Sequence, residues 1–269
     1  MKIEILQKKM SSLMLKKFRI FRSLAMTNDV KATVMKLRLA KPDFAIMLIT
    51  IISILLFSCE TEDAVIKQFP AVKPCPEIAV VNYEGEDYPT VQIGNQCWMS
   101  KNLNIGSFMV GDIEMTNNNQ VEKYCYINKP SLCSTYGGLY QWDEMMQYTN
   151  AEGSRGICPE GWHIPTKQDL EELLLYVENN TSYLKDTLDP YWYGNRQDNS
   201  KKLGFNARTG GGFYVEKHEF YGRFYYVKFW TSSESDSTSA TSLKIGNYSS
   251  PFNTGNKSDA SYVRCIKDE

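Results

Sequence analysis

Apolar residues are massed at one place near the start of the chain and spaced periodically along the rest. Residues 44–57 run from Phe44 to Phe57 through Ala, Ile, Met, Leu, Thr and Ser without a charge. Fourteen residues fall short of the roughly 20 that carry a helix across a bilayer, and the length matches the apolar region of an export signal. Further on, Val91 and Ile93 alternate with polar neighbours and Gly94-Asn95 separates two short runs, which predicts a hairpin. Leu139, Trp142, Met145 and Met146 lie at helical spacing after Gly137-Gly138. A clearer helix is predicted where Pro165 and the capping-box pattern Thr166-x-x-Asp169 precede Leu170, Leu173, Leu174 and Val177. From about residue 201 strand formers dominate: Phe213-Tyr-Val, Arg223 to Trp230, Ala240 to Ile245 and Ala260 to Ile266, separated by Gly and Ser clusters. The pattern predicts an α+β domain of about 190 residues, with two central helices, an N-terminal hairpin and antiparallel C-terminal strands packed around tryptophans.

The apolar run sits in a recognisable frame. Lys36, Arg38 and Lys41 precede it, and it ends in Leu56-Phe57-Ser58-Cys59, which resembles a bacterial lipobox whose cysteine is diacylated through its thiol and becomes the mature N-terminus. Glu60, Thr61, Glu62 and Asp63 then form an acidic stretch similar to export tags of Bacteroidetes surface lipoproteins. The expected organisation is therefore 1–34 as an over-long N-terminal extension, with Met35 as initiator, and 35–58 as a lipoprotein signal peptide. Residues 59–76 follow as an acidic tether containing Pro70, Pro74 and Pro76, and 77–269 as the folded domain. The expected address is the outer membrane, facing the cell surface, held by the lipid on Cys59 alone.

Charge narrows the partners. Residues 1–58 hold 11 Lys and Arg against 3 Asp and Glu, while 59–269 hold 19 against 28. A net charge of −9 on the exported part repels phosphate backbones, so nucleic acid is excluded as a partner. Only two histidines, His163 and His218, occur in the chain, which speaks against an imidazole-built metal site or a histidine-based acid/base pair. No cofactor and no metal are expected.

With Cys59 given to lipid, Cys75, Cys97, Cys125, Cys133, Cys158 and Cys265 remain, an even number that reads as disulfides in an exported chain. No C-x-x-C knuckle occurs. Six cysteines allow 15 pairings. Proximity favours Cys125 with Cys133. A bridge from Cys158 to Cys265 would tie the middle of the chain to its last strand and leave Cys75 and Cys97 for each other.

Five separated stretches resemble one family in order: Tyr88 to Leu103 (YPTVQIGNQCWMSKNL), Tyr136 to Trp142 (YGGLYQW), Gly156 to Thr166 (GICPEGWHIPT), Phe229 to Glu234 (FWTSSE) and Val263 to Asp268 (VRCIKD). Together they are similar to the Fibrobacter succinogenes major paralogous domain, over roughly residues 77–268. That resemblance implies a lipoprotein of Fibrobacter or Bacteroidetes type and a single disulfide-linked domain similar to the C-type-lectin fold. It also implies the Cys158–Cys265 pairing, as a bridge closing the long loop region of such a domain. The sequence departs from a calcium lectin, because no Glu-Pro-Asn, Gln-Pro-Asp or Trp-Asn-Asp triplet stands near Trp230 to supply the oxygen ligands.

Other constellations read as structural. Gly210-Gly-Gly212 precedes a strand-like segment, whereas a phosphate loop must open a helix. His163 lacks a carboxylate and nucleophile at fixed spacing. The pairs Asp143-Glu144 and Glu171-Glu172 read as solvated helix faces. Trp98, Trp142, Trp162 and Trp230 read as core. Tyr191-Trp192-Tyr193-Gly194-Asn195-Arg196 is different: three consecutive rings cannot all face one core, so at least one should be exposed beside amide and guanidinium donors. Tyr191, Trp192, Tyr193 and Asn195 are the candidate ligand-binding residues. The expected function is a non-catalytic, calcium-independent module that binds a surface glycan or protein. The alternatives are a redox enzyme of the formylglycine-generating type and a structural subunit of a surface assembly.

Overall fold

The computed structural model describes residues 69–192, 203–246 and 251–269. The chain opens with two hairpins. β1 (Val80–Tyr83) turns through Glu84 and Gly85, both at positive φ, into β2 (Glu86–Ile93). β2 then turns through Gly94-Asn95 into β3 (Gln96–Met99), with Ile93 opposite Gln96. This second hairpin is the predicted one. Its Gly-first loop is apt, since Gly94 has φ 60° and Asn95 is not at positive φ, the requirement of a two-residue loop with glycine in its first position. The β1 hairpin was not foreseen, because Glu-Gly carries the turn where Asn-Gly would have announced it.

There follow β4 (Ser107–Met109), β5 (Glu122–Tyr124), α1 (Pro130–Tyr136), β6 (Leu139–Gln141), α2 (Trp142–Met145), β7 (Trp162–His163) and α3 (Lys167–Tyr176). The C-terminal part holds β8 (Gly212–Tyr214), β9 (Glu219–Tyr221), β10 (Tyr226–Glu234), β11 (Ser239–Gly246), β12 (Phe252–Asn256), β13 (Ala260–Tyr262) and β14 (Ile266–Lys267). Among the described residues the strands form two sheets. A five-stranded sheet has the order β1-β2-β3-β14-β7, and a nine-stranded one has β12-β11-β10-β13-β6-β5-β4, with β8 and β9 joined to it through β13.

Among the described residues the fold is mixed α+β, mostly sheet, with three α-helices and three disulfides. Two expectations change. The helical spacing at 139–146 resolves into β6 followed by the four-residue α2, because Leu139 to Gln141 are needed to pair with β13. The C-terminal strands are not all antiparallel, since β13 lies parallel to β10. The helix at 167–176 forms as read. Thr166 Oγ1 accepts from Asp169 N while Asp169 Oδ2 accepts from Thr166 N, and Leu170, Leu173 and Leu174 face inward.

Two apolar clusters fill the interior. Trp98 belongs to one, and Trp142, Trp162 and Trp230 to the other. Buried indole N–H groups find acceptors: Trp142 donates to Thr231 O at 2.8 Å and Trp230 to Tyr140 O at 3.0 Å. The three bridges are Cys75–Cys97, Cys125–Cys133 and Cys158–Cys265. Cys265 lies between β13 in one sheet and β14 in the other. There the chain is stitched to 99–103, with Met99 N donating to Cys265 O and Leu103 N to Val263 O.

The end of the expected tether is not loose. Phe69 packs against Tyr183 with centroids 4.7 Å apart, Lys73 O accepts from Gln92 N, and Cys75 is buried and bridged to β3. Proline content alone had marked these residues as spacer. Cys59 and the signal segment lie outside the described residues.

Candidate functional site

Three turns converge on one face. The first is Tyr126 to Tyr136, held by the Cys125–Cys133 bridge across α1. The second is the segment from Asp186 to Trp192, bracketed by two aspartates. Asp186 Oδ1 accepts from Leu188 N at 2.8 Å, Asp189 Oδ1 from Tyr191 N at 3.1 Å, and Asp189 Oδ2 from the amide and hydroxyl of Thr209 at 2.7 and 2.8 Å. These are the local side-chain bonds by which aspartate builds turns. The third is the link from β9 to β10, where Gly222 at φ 73° admits no side chain beside the Tyr226 ring.

Arg223 sits at the meeting point. Its guanidinium lies 4.7 Å from the Phe224 ring centre, 5.3 Å from Tyr136, 5.6 Å from Tyr126 and 5.8 Å from Tyr191. Such contacts hold a cation by the ring quadrupoles. Tyr191 and Phe224 lie against each other with centroids 4.6 Å apart and are 43% and 39% exposed. Leu188 and Tyr225, on the same turns, are more exposed still, at 76% and 66%.

Beside this face opens a cleft of about 280 Å³. Tyr136 and Asp186 belong to both, and Lys101, Asn102, Arg208 and Arg264 give the cleft its charge and polarity. Arg208 Nε donates to Asp186 Oδ2 at 2.8 Å. Arg264 is buried, with Nε and Nη2 donating to Asn102 Oδ1 and Nη1 donating to Met99 O and Phe205 O. Asn102 is fixed in turn by donating to Tyr136 O at 2.7 Å. Burial pushes the Arg264 guanidinium down to about 9 while the nearby Asp186 charge acts to raise it, so the group stays cationic at neutral pH.

The sequence-based candidates separate here. Tyr191 is on the exposed face. Trp192 is a correction: it is 4% exposed, its indole donates to Ala207 O at 3.0 Å, and Lys185 Nζ lies 4.5 Å from the ring centre. Tyr191 and Trp192 take opposite sides as the chain leaves the aspartate-held turn, which sends Trp192 into the core. Tyr193 and Asn195 lie outside the described residues. Sequence reasoning missed Arg223, Phe224, Tyr136, Lys101, Arg208 and Arg264. The one visible signal was Arg264, a lone charge between apolar Val263 and Cys265.

His163, read as structural, does have carboxylate neighbours. Its Nδ1 is 2.7 Å from Asp268 Oδ1 and its Nε2 is 3.4 Å from Asp169 Oδ2, so it ties β7 to α3 and to the C-terminus. Burial pulls the imidazole down, but the hydrogen bonds and charges of Asp169 and Asp268 outweigh this and the net shift is upward from 6.5. Burial acts to raise Asp169, yet the bonds from His163 and Thr166 leave it below its usual range. The raised histidine stabilises the fold fully below pH 6.5 and loses that contribution as pH rises through its folded value; the depressed aspartate stabilises above its unfolded pKa and is lost as pH falls through its folded one. Urea midpoints are expected to decline on the alkaline side of pH 6.5, and His163→Gln to flatten that decline. An unchanged profile in the variant would remove His163 from the account.

Glu144 also differs from expectation. It is buried, accepting from Glu122 N at 2.9 Å and Tyr148 Oη at 2.8 Å, and burial raises its pKa. Asp143, Glu171 and Glu172 are exposed as read. The turn expected at 210–212 is not what forms: Gly211 bridges Val227 and Gly212 opens β8, while a side chain at Gly210 would strike the Tyr262 ring. Among the described residues no group of three or more His, Cys, Asp or Glu could hold a metal, and no helix is long and apolar enough to cross a membrane.

A family model described as the Fibrobacter succinogenes major domain matches residues 91–267. No curated protein and no solved structure matches the chain.

Proposed function

The chain belongs to the Fibrobacter succinogenes major domain family, and from that premise we propose that it is a non-catalytic, lectin-like binding module. In this reading a lipid on Cys59 holds it at the outer membrane, and it takes a ligand from the cell surface without calcium. The observation that carries the reading is the face around Arg223, where the half-exposed rings of Tyr191 and Phe224 pack together and Tyr136, also against Arg223, lines a polar cleft. Exposed rings beside guanidinium and amide donors stack on an apolar ligand face while bonding its polar groups. The redox-enzyme alternative is disfavoured by the cysteines, since all six between 75 and 265 are paired and leave no thiolate among them.

The test is a glycan and protein array probed with the full chain, with and without EDTA. Selective binding that is indifferent to the chelator is expected. Loss of binding on chelation would restore a calcium-lectin mechanism, and a blank array would count against a binding module. Mass spectrometry of the membrane fraction is expected to find a diacylglyceryl group on Cys59 as the mature N-terminus, and any other start would overturn the anchor.

A further inference from the structure

The cleft beside the aromatic face carries an excess of positive charge. Lys101, Arg208 and Arg264 line it against the single lining acid Asp186, and Glu86 outside the lining pairs with Lys101 Nζ, so one positive charge is left over, on Arg264. Asp186 is already committed, one oxygen to Arg208 Nε and the other to Leu188 N. Arg264 is 1% exposed, yet every oxygen it bonds is neutral: the Asn102 amide and the carbonyls of Met99 and Phe205. A guanidinium has five N–H donors, so these four bonds leave one Nη2 donor over. A buried cation held only by neutral acceptors is costly, and a nearby anion relieves it. Arg208 adds a second donor surface, because its Nε is engaged by Asp186 and its Nη1 reaches Thr135 O at 3.4 Å, while the side chain is 41% exposed.

Resting on the binding-module reading, we propose that the cleft takes the carboxylate of an acidic saccharide, a uronate, between Lys101 and Arg208 and above Arg264. Arginine forks match a carboxylate in geometry as well as charge. A volume of about 280 Å³ is at the small end for ligand clefts, enough for a ring rather than a bare anion. Ser134, Thr135 and Asn206 are among the residues of its walls and carry groups that bond sugar hydroxyls. The next residue of the saccharide would pass over Tyr136, which the cleft shares with the Arg223 cage, toward Tyr191 and Phe224.

Calorimetric titrations of the full chain with glucuronate, galacturonate, glucose, galactose and inorganic phosphate test this, each in low and high salt. The uronates are expected to bind about ten-fold more tightly than the neutral sugars, the worth of one charge-assisted bond, with the advantage shrinking in salt. Lys101→Ala and Arg208→Gln, both at partly exposed positions, are expected to remove most of that advantage of uronates over neutral sugars. Equal affinity for uronates and neutral sugars overturns the carboxylate assignment while the binding module stands. Phosphate binding as tightly as the uronates overturns the saccharide assignment. If none of the sugars binds, this proposal falls, and the array with its protein ligands decides separately on the binding module.

Discussion

Replacing Cys158 and Cys265 together by alanine is expected to cost about 4.8 kcal/mol, the chain-entropy value for a closed loop of 107 residues. For a domain of this size that corresponds to a fall in Tm of roughly 10–20 °C. The position of the bridge supports a large effect. Cys265 stands where the chain leaves the nine-stranded sheet for the five-stranded one, and Cys158 precedes β7 at the edge of the latter, so the bond fastens one sheet to the crossing point. Both cysteines are fully buried in the tryptophan-rich cluster. The same relation gives about 3.4 kcal/mol for Cys75–Cys97, separation 22, and about 2.5 kcal/mol for Cys125–Cys133, separation 8. Urea unfolding of the three paired variants checks the order, and a Cys125/Cys133 variant less stable than the Cys158/Cys265 one would contradict it.

Arg264→Met is expected to destabilise the fold by about 2–4 kcal/mol, the cost of leaving several buried neutral acceptors without donors. The substitution keeps apolar volume but strands Asn102 Oδ1, Met99 O and Phe205 O, acceptors on two segments, 99–102 and 205, far apart in sequence. Buried acceptors without donors cost about 1–3 kcal/mol each, though the sum is not additive. Arg264→Lys is expected to recover only part of the loss, because one ammonium cannot span three acceptors that a planar fork reaches together. A loss below about 1 kcal/mol for Arg264→Met, by chemical denaturation, would show that water replaces the guanidinium and that the network does not hold these segments.

What could be read from the residues depended on whether the signal was local. The α3 helix was legible because capping box and apolar stripe lie within twelve residues, 166–177. The β2–β3 hairpin was legible from its Gly-Asn loop. At 139–146 the same kind of spacing misled, because pairing of Leu139, Tyr140 and Gln141 with β13, some 120 residues away, overrides a four-residue helical pattern. The candidate site was harder for the same reason. Tyr191 could be suspected from three adjacent rings, but Arg223 with Phe224, Tyr136 and Arg208 come from three separate segments, each unremarkable alone. Trp192 shows the limit of counting rings: one had to be exposed, and local sequence could not say which. Glu144 looked solvated because its partners, Glu122 N and Tyr148 Oη, approach from β5 and from the turn after its own helix.

Ligand is expected to bind where Arg223 gathers Tyr191 and Phe224 on the face beside the cleft. The most direct test is the affinity of an array-selected ligand for the full chain and for the Tyr191→Ala/Phe224→Ala double variant, with folding checked by circular dichroism. Both rings are partly exposed, so the variant is expected to fold and to bind at least about 30-fold more weakly, the loss of a hot spot worth about 2 kcal/mol. A folded double variant that binds as tightly as the parent chain would contradict this placement of the site.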